Sequence, residues 1–129
     1  MEMLRVPFEH GATTAPVRQS TRATLHRHHG DEYLEDVLLV VTELVQNVSQ
    51  HTAGGGELLL TMHDDAVLIE VSDTDPIVPV PQPRDPHRPG GRGLVLVAGV
   101  ARTWGVRLAP GPGGVGKVVW AELPLRRTD

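Results

Sequence analysis

Leu4, Val6 and Phe8 alternate with Arg5, Pro7 and Glu9, a period of two that predicts a short edge strand, where a proline is tolerated. Residues 16–29 contain no breaker after Pro16 and set Val17, Ala23 and Leu25 among arginines and histidines, which predicts a first helix ending near Gly30. The pattern is sharpest beyond Asp31, a residue able to cap a helix: Leu34, Val37, Leu38, Val41, Leu44, Val45 and Val48 recur at helical spacing. A long amphipathic helix is predicted over 31–51, stopping before Gly54, Gly55 and Gly56.

Two runs rich in Leu, Val and Ile, 57–63 and 66–72, flank Asp64 and Asp65 and read as an antiparallel hairpin, with Asp73 at the end of its second strand. Prolines at 76, 79, 81, 83, 86 and 89 then exclude both a long helix and an interior strand. A stretch of that length between regular elements has the character of a functional lid, placed at about 74–92. Residues 94–101 suit a short helix opened by glycines, and 104–109 with 117–123 suit a second hairpin across 110–116. The order strand, helix, helix, two strands, lid, helix, two strands predicts an α+β fold, a two-layer α/β sandwich with a mostly antiparallel sheet and its helices on one face.

At 129 residues the chain has the length of one domain, 1–129, with one sizeable core. A hydrophobic content of 40% with 22% charged residues is that of a folded protein rather than a disordered one. The formal net charge of -4 provides no extended basic surface, which argues against direct nucleic-acid binding. The absence of cysteine removes disulfides, thiolate metal sites and thiol nucleophiles. Glu2, Arg5 and Glu9 interrupt any signal-peptide core, and the longest uncharged apolar stretch, 94–101, is far shorter than the roughly 20 residues of a membrane-crossing helix. A cytoplasmic protein without a membrane partner is therefore expected.

Three places could carry chemistry. Glu43 and Asn47 are four residues apart on the long helix, so they share one side of it, one turn apart. An amide oxygen with a nearby carboxylate suffices as the protein's share of a magnesium site, and the carboxylate could orient a hydroxyl or water for attack on a phosphate; a solvated helix face is the plain alternative. Asp73 ends an alternating strand beside the lid and can accept a hydrogen bond from a base amine, although Asp73, Thr74, Asp75 and Pro76 also make a turn sequence with no ligand. Gly90, Gly91, Arg92, Gly93 and Leu94 precede a predicted helix, where open amides and the helix dipole favour phosphate oxygens; a lid hinge would use the same glycines. His26, His28 and His29 lack a fixed carboxylate or further ligand and read as surface histidines, and Trp104 and Trp120 read as core.

The three pieces, Glu43-Leu44-Val45-Gln46-Asn47, Val71-Ser72-Asp73 and Gly91-Arg92-Gly93-Leu94, occur in one order with a lid between the last two. In this the chain resembles the GHKL ATPases, particularly their anti-sigma-factor serine/threonine kinase branch, over nearly its whole length, including the Trp104-Gly105 step and the closing run 116–123. The resemblance implies the Bergerat-type ATP-binding fold, with ATP and Mg2+ as cofactors. It makes Glu43 the catalytic base, Asn47 the magnesium ligand, Asp73 the acceptor for the adenine amine, and Gly91, Arg92, Gly93 and Leu94 the phosphate loop. The chain departs from the pattern in two places. Asp75 and Pro76 replace the Gly-x-Gly that follows the aspartate in many relatives, and Val118 stands where relatives often carry a threonine near the adenine. The implied function is an anti-sigma factor with serine kinase activity, whose partners are a sigma factor and an anti-anti-sigma antagonist protein, with homodimers frequent in the family. A noncatalytic interaction module retaining the fold is the alternative.

Overall fold

The computed structural model describes residues 1–9, 13–28, 33–51, 55–63, 65–73, 93–111 and 114–124. Strand β1 (Glu2–Phe8) is followed by helices α1 (Ala15–His28) and α2 (Leu34–His51), strands β2 (Gly56–His63) and β3 (Ala66–Asp73), helix α3 (Gly93–Val100), and strands β4 (Thr103–Gly111) and β5 (Gly114–Pro124). The five strands form one sheet in the order β1-β2-β3-β5-β4, and every neighbouring pair is antiparallel. The α+β two-layer sandwich expected from the hydrophobic pattern is the fold observed.

Register explains which side chains meet the helices. Leu58 pairs with Val71, Leu60 with Ile69, Val71 with Val119 and Ile69 with Ala121, and all of these side chains are buried. Alternation along a strand sends them to the same side, where they join Val37, Leu38, Val41, Leu44, Val45 and Val48 of α2 in one core. Helix α2 packs against β2, β3 and β5, while α1 and α3 lie against α2. Glu35 and Asp36 in the first turn of α2 complement the partial positive charge of its amino end.

The ends of elements have local causes. Pro16 sits in the first turn of α1, where its missing N–H costs little. Thr21 and Thr24 join Val17 and Leu25 on the buried side of α1, and the Thr21 hydroxyl donates to the Val17 carbonyl at 2.9 Å. Ala23 is exposed. Gly56 opens β2 because a Cβ there would lie 2.2 Å from the Ser72 carbonyl oxygen and 2.9 Å from the Phe8 ring. His63 pairs with Ala66 across a two-residue connection, as expected from the sequence. The second hairpin is longer than expected, with Pro110 opposite Val115 and Gly111 opposite Gly114, because β4 is an edge strand and an edge admits proline. The Pro-rich stretch expected as a lid falls at 74–92, outside the described residues. Among the described residues, no helix is long and apolar enough to cross a membrane.

Candidate functional site

Asp73 ends β3 with the same parity as Val67, Ile69 and Val71, so its side chain faces the helix layer rather than the open side of the sheet. Its side chain is fully buried. An aspartate is almost never buried unless paired, and the turn read over 73–76 continues beyond Asp73 outside the described residues.

Directly opposite on β5 stands Lys117, with only 4% of its side chain exposed and its Nζ 2.8 Å from Asp73 Oδ2. Sequence reasoning missed Lys117 and looked to Val118 instead. Val118 pairs with Ser72 and Arg107 and lies on the sheet face away from the helices. A signal was present in the chain. Val119, Ala121 and Leu123 are apolar at alternate positions, which sets Lys117 on the inward side of the strand and Val118, Trp120 and Glu122 on the outward side.

Glu43 and Asn47 lie one turn apart on α2, and both are half-buried. From Leu39 to Val48 no residue of this helix is fully exposed, and its polar residues Thr42, Glu43, Gln46 and Asn47 are partly covered. Val40, one turn before Glu43 and Leu44, is completely buried. The carboxylate and the amide therefore emerge from a helix held between α1, α3 and the sheet. An amide oxygen and a carboxylate so placed suit a hard divalent cation that keeps waters and phosphate oxygens in its shell.

Helix α2 is the common neighbour of the other two places: it packs on β3, which ends in Asp73, and α3, which begins at Gly93, packs on it. Gly93 and Leu94 form the first turn of α3, where amides without intrahelical partners are available to an anion. Gly91 and Arg92, named with them from the sequence, lie outside the described residues. A separate open groove of about 640 Å³ runs between α1 and the start of α2, lined by Gln19, Arg22, Ala23, His26, Leu34 and Glu35. None of the candidate residues borders it.

A carboxylate facing the layer between sheet and helices can accept from a base amine, and the half-buried Glu43 and Asn47 offer the oxygens magnesium prefers. Among curated proteins, none matches the chain. The family model for the histidine kinase-like ATPase domain matches residues 8–122, a span that runs from the end of β1 almost to the end of β5 and takes in Glu43, Asn47 and Asp73. By that match and by its fold, the chain belongs to the histidine kinase-like ATPase domain family, whose members bind ATP.

Proposed function

We propose that this protein is an ATP-magnesium-binding regulator, an anti-sigma factor that phosphorylates an antagonist protein on serine. The observation carrying this reading is the buried Asp73 carboxylate, aimed into the layer between the sheet and α2, the helix that bears Glu43 and Asn47. Bound ATP supplies the transferable γ-phosphoryl group, and magnesium offsets the charge on its oxygens. Asp73 accepts from the amine of the base, and Asn47 offers its amide oxygen to the metal. Glu43 takes the proton of the attacking serine hydroxyl, and the start of α3 presents amides to phosphate oxygens. The partners on this reading are a sigma factor and the serine-bearing antagonist.

A second reading has a specific observation behind it. Lys117 already neutralises Asp73, so the fold's buried carboxylate is compensated without a nucleotide, as a noncatalytic interaction module would require. Incubating the protein with labelled ATP and candidate antagonist proteins separates the two. Label is expected on a serine of one antagonist, and Glu43→Gln should lower that transfer by about 100-fold or more, the scale of general base catalysis. ATP bound without transfer to any antagonist would remove the kinase and leave the module.

A further inference from the structure

The two edges of the sheet are finished differently. β1 carries the devices that discourage strand addition: Glu2 and Arg5 are charged, Pro7 lacks an N–H, and the register shifts between Glu2 and Leu4. β4 has few of them. Its pairing with β5 is regular, its proline stands near its end at Pro110, and Arg107 is its one charged residue. That guanidinium is turned back across its own sheet to Glu70. Among the described residues β4 pairs with β5 alone, so the N–H and C=O groups of its other side form an open edge.

The helix beside this edge is unusual as well. Residues 93–101, which span α3, contain no polar side chain, and a helix apolar on every side belongs in an interior. Yet Leu96, Ala98 and Gly99 are exposed. Because α1 contacts β1 and α3 contacts β4, α3 lies at the β4 end of the helix layer. Among the described residues three large apolar side chains are exposed, Met1, Leu96 and Leu108, and the last two belong to this flank. Leu108 is 58% exposed although it shares the helix side of β4 with Trp104 and Val106.

We propose that the β4 flank is a self-association surface, on which a second copy of this chain adds its own β4 antiparallel and joins the two sheets into one. Self-complementarity selects this occupant. A two-fold axis at Val106 sets that residue against its own counterpart and Trp104 opposite the second copy's Leu108, so each exposed leucine is covered by an indole on the helix side. On the outer side each Arg107 stands opposite a glycine, Gly105 of the other copy, and stays bonded to its own Glu70, so no like charges oppose each other. The same continuation brings both α3 helices to one side of the joined sheet, each beside the axis with its exposed apolar residues. About 24 Å of strand and about 12 Å of helix give roughly 500 Å² on each copy, the low end of specific interfaces, so the association is reversible. No nucleotide enters this reasoning.

The test is sedimentation of the full chain across about 1–100 μM, joined to cysteine cross-linking, to which the cysteine-free sequence contributes no background. Wild type should pass from monomer to dimer within that range. Val106→Cys, which sets a thiol at the axis, should give a disulfide-linked dimer on mild oxidation, and Arg5→Cys on the β1 edge should not. Leu108→Lys should weaken the dimer by about tenfold or more, since it sets a charge against Trp104 of the other copy. Should Leu108→Lys fail to fold, the two cysteine variants decide alone. A wild type that stays monomeric up to about 100 μM overturns the proposal and leaves the flank to a different protein. So does a dimer that Arg5→Cys links, or one that Val106→Cys does not.

Discussion

On the helix side of the sheet, β3 and β5 oppose Asp73 and Lys117 with almost no access to water. On the open side the same kinds of residue also meet across strands: Arg107 bonds Glu70 from two strands away, Arg5 bonds Glu57, and Arg102 lies 3.6 Å from Glu122. Each of those arginine side chains is about half exposed. Water and salt screen the outer pairs, so each contributes about 0–1 kcal/mol, and their main effect is to cover the flat face of a two-layer protein with charge. The inner pair is shielded from water and salt, so both its attraction and its desolvation penalty are large. Burial, not the residue types, decides which ion pair matters.

The strongest way to break this contrast is to remove one inner partner. Asp73→Ala or Lys117→Ala should each lower unfolding stability by about 3–5 kcal/mol, because an uncompensated charge stays buried. The double replacement Asp73→Leu with Lys117→Met should recover most of that loss. Urea denaturation of the three variants reads it, and single variants within about 1 kcal/mol of wild type would mean that the inner pair is solvated like the outer ones.

A smaller effect is expected where the outer face is packed rather than charged. Trp120 lies over Gly105, and a Cβ on that glycine would come within 2.8 Å of the indole. Gly105→Ala should cost about 1–3 kcal/mol and shift the tryptophan emission as the ring is displaced. Gly99 on α3 is the control, since a Cβ there meets nothing within 4 Å. Gly99→Ala should leave the emission alone and stabilise the helix by about 0.5–1 kcal/mol, read by thermal unfolding.

The smallest effects belong to the outer pairs. Glu70→Gln should cost less than about 1 kcal/mol, and the difference should shrink in high salt. Glu2 shows the sign of the pH dependence. Its hydrogen bond from Arg5 holds the carboxyl below its usual range. The folded state therefore gains from this contact above the ordinary carboxylate range and loses it as the pH falls through the lowered value. Glu2→Gln should flatten that segment of the stability profile below the ordinary carboxylate range, by an amount small because the group is fully exposed.

The helices and hairpins were legible in the chain because they depend on local period. The seven apolar residues of α2 named from spacing are all buried, and the two-residue connection after His63 pairs as read. What was not legible depends on context. Thr21 and Thr24 are polar by type, but each can turn its methyl to the core, and the Thr21 hydroxyl returns its proton to its own helix, so a pattern of hydrophobic letters passes over them. The Asp73–Lys117 contact spans 44 residues and depends on the register of β5 against β3, which no local signal fixes. A slip of one position exchanges an ammonium for an isopropyl group, which is the difference between Lys117 and Val118. The partial burial of Glu43 and Asn47 is likewise a property of packing rather than of spacing.

The place of β3 in the sheet has one more consequence. As the middle strand of five, it is hydrogen-bonded along both sides, so exposing its amides requires separating two ladders at once. Its amides should be among the slowest in the molecule to exchange for deuterium. A carboxylate carried at the tip of such a strand is immobilised when the chain folds, so under the proposed function a ligand would meet there an acceptor whose ordering cost has already been met.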